Sequence, residues 1–353
     1  MDFKDAVFKS KRALIVCGKV LVSAGLCLLK LPFQLISAKR PDIFIDSIEG
    51  HRYPVYLSLS LASEFVLEIR MRHVLFFYRY LPFRDFLFGT VVLLPGKNPA
   101  SPLVLSLKSS QPFPSKQTIT IDGDYYTALE RPDSQLIMPY FAHPEFYRKG
   151  LHLKASGFQS GSRPYRIFFC GSVLKEEYSR DFHFHILNRY EIMDYISSHF
   201  ADHITHSMER TVKPIVFLIT NDPRDTVRKH QLAPAEYFQA LKRADFFIAA
   251  PGCKMPHCHN IIEAMTAGAI PITNYAHVMH PPLQNGVNCL SFTDYESLSQ
   301  ALTRAMSMSA EVVDLLRKGT LNHHQNYLKP SAFGANFRRS CSTSTTLFVN
   351  EER

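Results

Sequence analysis

At 353 residues the chain is long enough for two domains, each with its own core. Hydrophobic residues make up 46% and charged residues 20%, a balance that excludes wholesale disorder. Lys plus Arg number 40 against 31 Asp plus Glu, a formal charge of +9; with no RNA-binding aromatic signature, zinc finger or basic helix, a phosphate-bearing small substrate or an anionic membrane surface suits it better than nucleic acid.

The N-terminal segment, residues 1–37, is basic and then apolar. Lys4, Lys9, Lys11 and Arg12 precede a run from Ala13 to Leu29 that is interrupted by Lys19. That run is short and impure for a spanning helix, and no small-residue cleavage site stands near Lys30 to Pro32. Two readings stay open for residues 3–36: an interfacial helix, or a helix packed on the protein's own core.

Residues 38–145 alternate strand and helix. Asp42–Asp46 reads as a strand, a turn follows at Glu49-Gly50-His51, and Tyr53–Ala62 carries Leu57, Leu61 and Phe65 at helical spacing. Phe65–Ile69, Thr90–Leu94, Leu103–Leu107 and Thr118–Ile121 are further strand candidates. The proline- and aromatic-rich stretch Met138–Pro144 lacks periodicity and reads as the crossing between domains.

Residues 146–330 repeat the alternation. Strands are expected at Tyr165–Cys170, Ile215–Ile219, Phe246–Ala250 and Ile270–Thr273. Between them come helices with Ile192, Met193, Ile196 and Phe200 on one side, from Pro234 to about Arg243, and over Ile261–Ala267. Asp294 is placed to cap a helix whose Leu298, Ala301, Leu302, Ala305 and Met306 share a face. Such alternation implies a mostly parallel sheet covered on both sides. The Ser/Thr/Arg-rich residues 331–353 read as a flexible tail.

The chemistry concentrates in Ala249–Ile272. A strand ends there in a loop with Pro251 and Gly252, and a helix starts near Asn260. Ligands of open parallel sheets sit beyond the carboxyl ends of the strands, and a helix N-terminus suits a diphosphate; Lys254, His257 and His259 can add charge or hydrogen bonds. Glu263, three residues after Asn260, could close a capping box or bind the two hydroxyls of a ribose. Cys253 and Cys258 stand too far apart, with no second ligand pair, for a finger-like zinc site, and no metal is expected. The seven cysteines (Cys17, Cys27, Cys170, Cys253, Cys258, Cys289, Cys341) are odd in number and scattered, as free thiols in a reducing compartment would be.

The run Glu263-Ala-Met-Thr-Ala-Gly-Ala-Ile-Pro-Ile272, followed by Asn285–Phe292 and Tyr295–Leu298, resembles the C-terminal domain of GT-B glycosyltransferases, with the exostosin-like group the nearest pattern. The resemblance implies two Rossmann-like α/β domains facing a cleft, the second binding a nucleotide-sugar. It further implies a hexosyl transferase acting on a saccharide or glycoconjugate, with no cofactor beyond that donor. Glu263 would contact the nucleotide, and Gly171, Arg166, Lys175, Gly252, Lys254, Asn260 and Ile261 would surround the donor. Met255 stands where retaining members commonly carry a second glutamate, and Gly268-Ala-Ile-Pro271 has the longer form; both lean towards inversion. Inversion needs a base for the acceptor hydroxyl, and Asp46, Glu49 and His51 follow the first strand; the unperturbed pKa of an imidazole, near 6.5, would suit His51 to that task. The expected location is cytoplasmic or peripheral to a membrane, the Golgi membrane in a eukaryote. An inactive binding protein of this fold and a nucleotide-sugar epimerase are the competing readings.

Overall fold

The computed structural model describes residues 18–19, 21–30, 32, 40–46, 52–107, 113, 116–130, 135–155, 160–179, 185–209, 213–220 and 232–350. The chain divides into two compact units. One runs to Met138 and takes back the chain from Pro330; the other spans Pro139–Lys329. The division falls earlier than the expected 145/146 boundary, inside the proline- and aromatic-rich stretch.

Among its described residues the first unit holds the strands β1 (Ile43–Ile45), β2 (Leu67–Arg70), β3 (Thr90–Leu93), β4 (Leu103–Leu107), β5 (Gln117–Asp122), β6 (Leu136–Ile137) and β13 (Thr346–Phe348). Their order is β3-β2-β1-β4-β5-β13-β6, and neighbours run parallel. Strands on both sides of β1 reverse the winding direction there, which makes this a doubly wound α/β layer. Ile43, Phe44 and Ile45 are fully buried because both faces are covered.

The expected flexible tail is instead ordered. Residues Pro330–Ser340 form a helix whose Phe333, Gly334 and Phe337 are buried, and Thr346–Phe348 enters the sheet between β5 and β6. The helix lies on the Tyr53–Leu61 helix of the same unit. Phe337 meets Phe65 edge-to-face at 5.8 Å and Arg338 pairs with Glu64 at 3.0 Å. A polar average concealed Phe333 and Phe337, spaced four apart on one helical face. At Gly334 a Cβ would fall 2.1 Å from the Ser60 carbonyl oxygen, so Gly334→Ala must push two backbones apart. Overpacking of this kind costs about 1–3 kcal/mol, and the expected result is a lowered denaturant midpoint. An unchanged midpoint would mean that the helix does not dock this closely.

The second unit has the order β12-β11-β10-β7-β9-β8. Its strands are β7 (Tyr165–Gly171), β8 (Ile204–Thr205), β9 (Ile215–Ile219), β10 (Ala244–Ile248), β11 (Ile270–Thr273) and β12 (Leu290–Ser291), paired in parallel. This too is α/β and doubly wound, with the reversal between β7 and β10. The helices Arg189–His199, Pro234–Lys242, His259–Thr266 and Tyr295–Ser307 appear where the periodicity places them. Asp294 caps the last of these, accepting from the Ser297 N–H at 2.8 Å.

The residues after Glu263 form a helix stop. Gly268 has φ +72°, its N–H donates to the Met265 carbonyl at 3.1 Å, and the Ala269 N–H donates to Ala264 at 2.9 Å. That is a Schellman cap, and it needs the left-handed conformation glycine tolerates. A Cβ there would also sit 3.0 Å from Arg163 Nη2. The turn sends the chain directly into β11.

Candidate functional site

In a doubly wound sheet the crevice opens beyond the carboxyl ends of the strands flanking the reversal. In the second unit those strands are β7, which ends at Gly171, and β10, which is followed by the loop from Ala249 to Cys258. The loop closes on itself at Gly252, whose N–H donates to the Pro256 carbonyl at 3.2 Å. A Cβ at Gly252 would fall 2.7 Å from the His257 oxygen and 2.8 Å from that of Met255. Glycine is therefore required by close approach of backbone.

Under this loop lies Arg189, 4% exposed and at the first position of its helix, where Asn188 and Glu191 form a capping box. Its Nε donates to the Pro251 carbonyl at 2.9 Å and its Nη1 to that of Ser172 at 3.3 Å. Its Nη2 meets Cys258 Sγ at 3.2 Å, and its guanidinium covers the Tyr178 ring at 4.2 Å. None of these contacts is a carboxylate, and a buried cation ties the loops after β7 and β10 together. Burial pushes the Cys258 thiol up, but Arg189 and His259 together bring it below its ordinary value.

The helix after the loop starts at His259, with Cys258 in the capping position and no side-chain cap. The expected start at Asn260 is thus corrected by one residue, and the capping box between Asn260 and Glu263 does not form. Glu263 lies one turn further in and does something else. Its Oε1 accepts from the His143 backbone N–H at 3.2 Å and meets His259 Nδ1 at 3.1 Å. Oε2 has no hydrogen bond among the described residues. The carboxylate is 5% exposed and lines a cleft of about 310 Å³ with His143, Glu145, Tyr237 and His259. Ser172 Oγ, Asn260 Oδ1 and the Tyr237 hydroxyl are buried and have no hydrogen-bond partner among the described residues. Such atoms are rare in a folded chain unless a ligand or water satisfies them.

The expected site residues divide. Gly171 is the last residue of β7, and Gly252, Lys254, Asn260 and Glu263 fall on the loop and helix that follow β10, where Lys254 is exposed. Lys175 begins the short helix after β7, with its ammonium 5.4 Å from the centre of the Tyr190 ring. Ile261 is fully buried, and its N–H is already given to the Cys258 carbonyl at 3.3 Å. Arg166 sits at the opposite, amino end of β7. There it pairs with Asp245 at 3.1 Å and donates to the carbonyls of Ala305 and Met308, which leaves it a structural duty. In the first unit Asp46 follows β1 and receives Arg70 Nη2 at 2.5 Å; Glu49 and His51 lie outside the described residues. Sequence reasoning missed Arg189, Tyr237 and His143. The Asn188–Glu191 capping pair was the available signal for Arg189, since it fixes that arginine at the start of a helix. His143 and Tyr237 carried none.

Fold and site together define a doubly wound α/β protein whose second unit holds a cleft in which the Glu263 carboxylate lies among Phe146, Leu232, Pro234 and Tyr237. No family model and no curated protein matches the chain. Among solved structures it is similar to the Anabaena protein HepE in complex with UDP and glucose, with 9% identity over 86% of this chain and 100% of that one, at a TM-score of 0.41. Sucrose-phosphate synthase from Thermosynechococcus elongatus is similar at 12% identity, covering 87% and 100%, TM-score 0.44. UDP-GlcNAc 2-epimerase from Methanocaldococcus jannaschii shows 11%, 85% and 99%, TM-score 0.38.

Proposed function

We propose that the chain transfers a sugar from a nucleotide-sugar donor to a saccharide or glycoconjugate, as an inverting, metal-independent enzyme of the GT-B kind. The observation that carries this reading is Glu263. A buried carboxylate, steadied on one oxygen by a backbone N–H and an imidazole, keeps its second oxygen for a ligand, and two vicinal ribose hydroxyls are a matching pair of donors. The positive dipole end of the His259–Thr266 helix, with Lys254 on the loop before it, suits the diphosphate. Arg189 adds positive potential from beneath, where low dielectric strengthens it. Stabilising the departing diphosphate is the task this arrangement supports. For the base that takes the acceptor proton, Asp46 is committed to Arg70, so Glu49 and His51 are the stronger candidates.

Replacing Glu263 by glutamine tests the reading. Size is kept while the charge is lost, and hydrogen bonds to a charged acceptor weaken by about 1.5–3 kcal/mol, or tenfold to a hundredfold in affinity. The donor is first found by screening UDP-, GDP- and ADP-sugars for thermal stabilisation. Calorimetry with that donor is then expected to show the loss in Glu263→Gln. Unchanged affinity in a folded variant would remove Glu263 from the site and, with it, the proposal.

A further inference from the structure

The helix over residues 21–30 in the first unit is turned against the usual order. Its inward side carries Ser23, Cys27 and Lys30, all buried. Its outward side carries Leu21 at 72%, Leu28 at 69% and Leu29 at 68% exposure, with Val22 half-exposed beside them. At about 100° per residue these four fall within one arc of about 120°, opposite the buried three. Lys30 fastens the helix: its ammonium donates to the carbonyls of Phe86 and Leu87 and lies 4.9 Å from the centre of the Phe86 ring. Burial lowers its pKa to about 8, so this orientation is held at a cost. A helix free to choose would roll its leucines inward.

Beside it opens a cleft of about 560 Å³. Leu75, Phe76 and Tyr80 supply apolar lining, and Lys19, Arg72 and Arg79 supply cations; among the described residues no carboxylate lines it. An apolar arc next to a cleft lined by cations matches the layered chemistry of a phospholipid surface, acyl chains below and phosphates above. Contiguous exposed apolar side chains of this kind mark interaction sites. We propose that this face docks on a bilayer containing anionic lipid, with Leu21, Val22, Leu28 and Leu29 in the acyl boundary and Lys19, Arg72 and Arg79 among the headgroup phosphates. The proposal is independent of the chemistry assigned to the second unit.

Flotation of the full chain tests it, using vesicles of phosphatidylcholine alone and of phosphatidylcholine mixed with phosphatidylserine. The chain is expected to float with the mixed vesicles, more weakly with the neutral ones, and less as salt rises. The triple variant Leu21→Asn, Leu28→Asn, Leu29→Asn should lose at least about tenfold on both, since each leucine gives up its apolar burial. The double variant Arg72→Gln, Arg79→Gln should lose about fivefold per cation on mixed vesicles only. Melting curves matching the wild type show that both variants are folded. Failure of the wild type to float, or flotation of the triple variant at wild-type strength, overturns the proposal. So does light scattering that finds a dimer in the wild type and a monomer in the triple variant while neither floats, because the face then joins two copies.

Discussion

Asp245→Asn is expected to destabilise the second unit by about 3–5 kcal/mol, because it removes the carboxylate from a buried cluster of guanidinium groups. Asp245 is 1% exposed at the start of β10. It pairs with Arg166 at 3.1 Å and with Arg317, and it accepts from the Arg163 N–H at 3.3 Å. Arg317 is fully buried and also holds the Gly268 carbonyl at 3.2 Å, so the cluster fixes the turn between the His259–Thr266 helix and β11. Denaturant unfolding of the two proteins measures the difference. A loss under about 1 kcal/mol would mean that Asp314, 2.5 Å from Arg317 Nη1, compensates the charge alone. Arg317→Met combined with Asp245→Asn should recover part of the loss, because a buried charge without its partner costs more than an apolar replacement.

Acidification is the second large effect. His257 and His323 are 2% and 7% exposed, and burial pushes their pKa values down to about 3 and about 4. His257 lies among the rings of Tyr140 and Tyr275. In the unfolded chain both titrate near 6.5, so below that pH the unfolded state binds protons that the folded state refuses. Their contribution is complete above pH 6.5 and falls away as the pH drops towards the folded values. By pH 5 the loss amounts to about 2 kcal/mol for each histidine. Unfolding free energy measured from pH 7 to pH 5 should therefore decline before most carboxylates titrate, and less steeply in His257→Gln. A flat profile over that range would mean that these rings gain protons without unfolding.

The sequence exposed the α/β alternation because its strands are buried on both faces and its helices follow 3.6-residue spacing. Leu103–Leu107 and Ile215–Ile219 were legible to the residue. Phe246–Ala250 was displaced, since β10 starts at Ala244 and Asp245, and a charged residue conceals a strand whose carboxylate is neutralised by arginines distant in sequence. The same distance made Arg166 resemble a ligand-binding cation: proximity to a strand was visible, but which end of the strand it occupied was not. At Glu263 the residue was legible and its geometry was not. The helix begins one residue earlier than its asparagine suggested, and the N–H that steadies the carboxylate comes from His143, 120 positions away. The helices Val74–Tyr80, Phe83–Phe88 and Ala310–His323 were not anticipated.

The return of residues 346–348 to the first sheet has a consequence for the order of assembly. β5 and β6 are neighbours in sequence, yet β13 occupies the lane between them. On the ribosome that lane stays vacant until all of Pro139–Lys329 has been translated. Until then the facing backbones of β5 and β6 lack the partner they will later share, and exposed strand edges of this kind invite mispairing. Domains ordinarily close in the order in which they are synthesised. Here the unit that emerges first is the last to be completed.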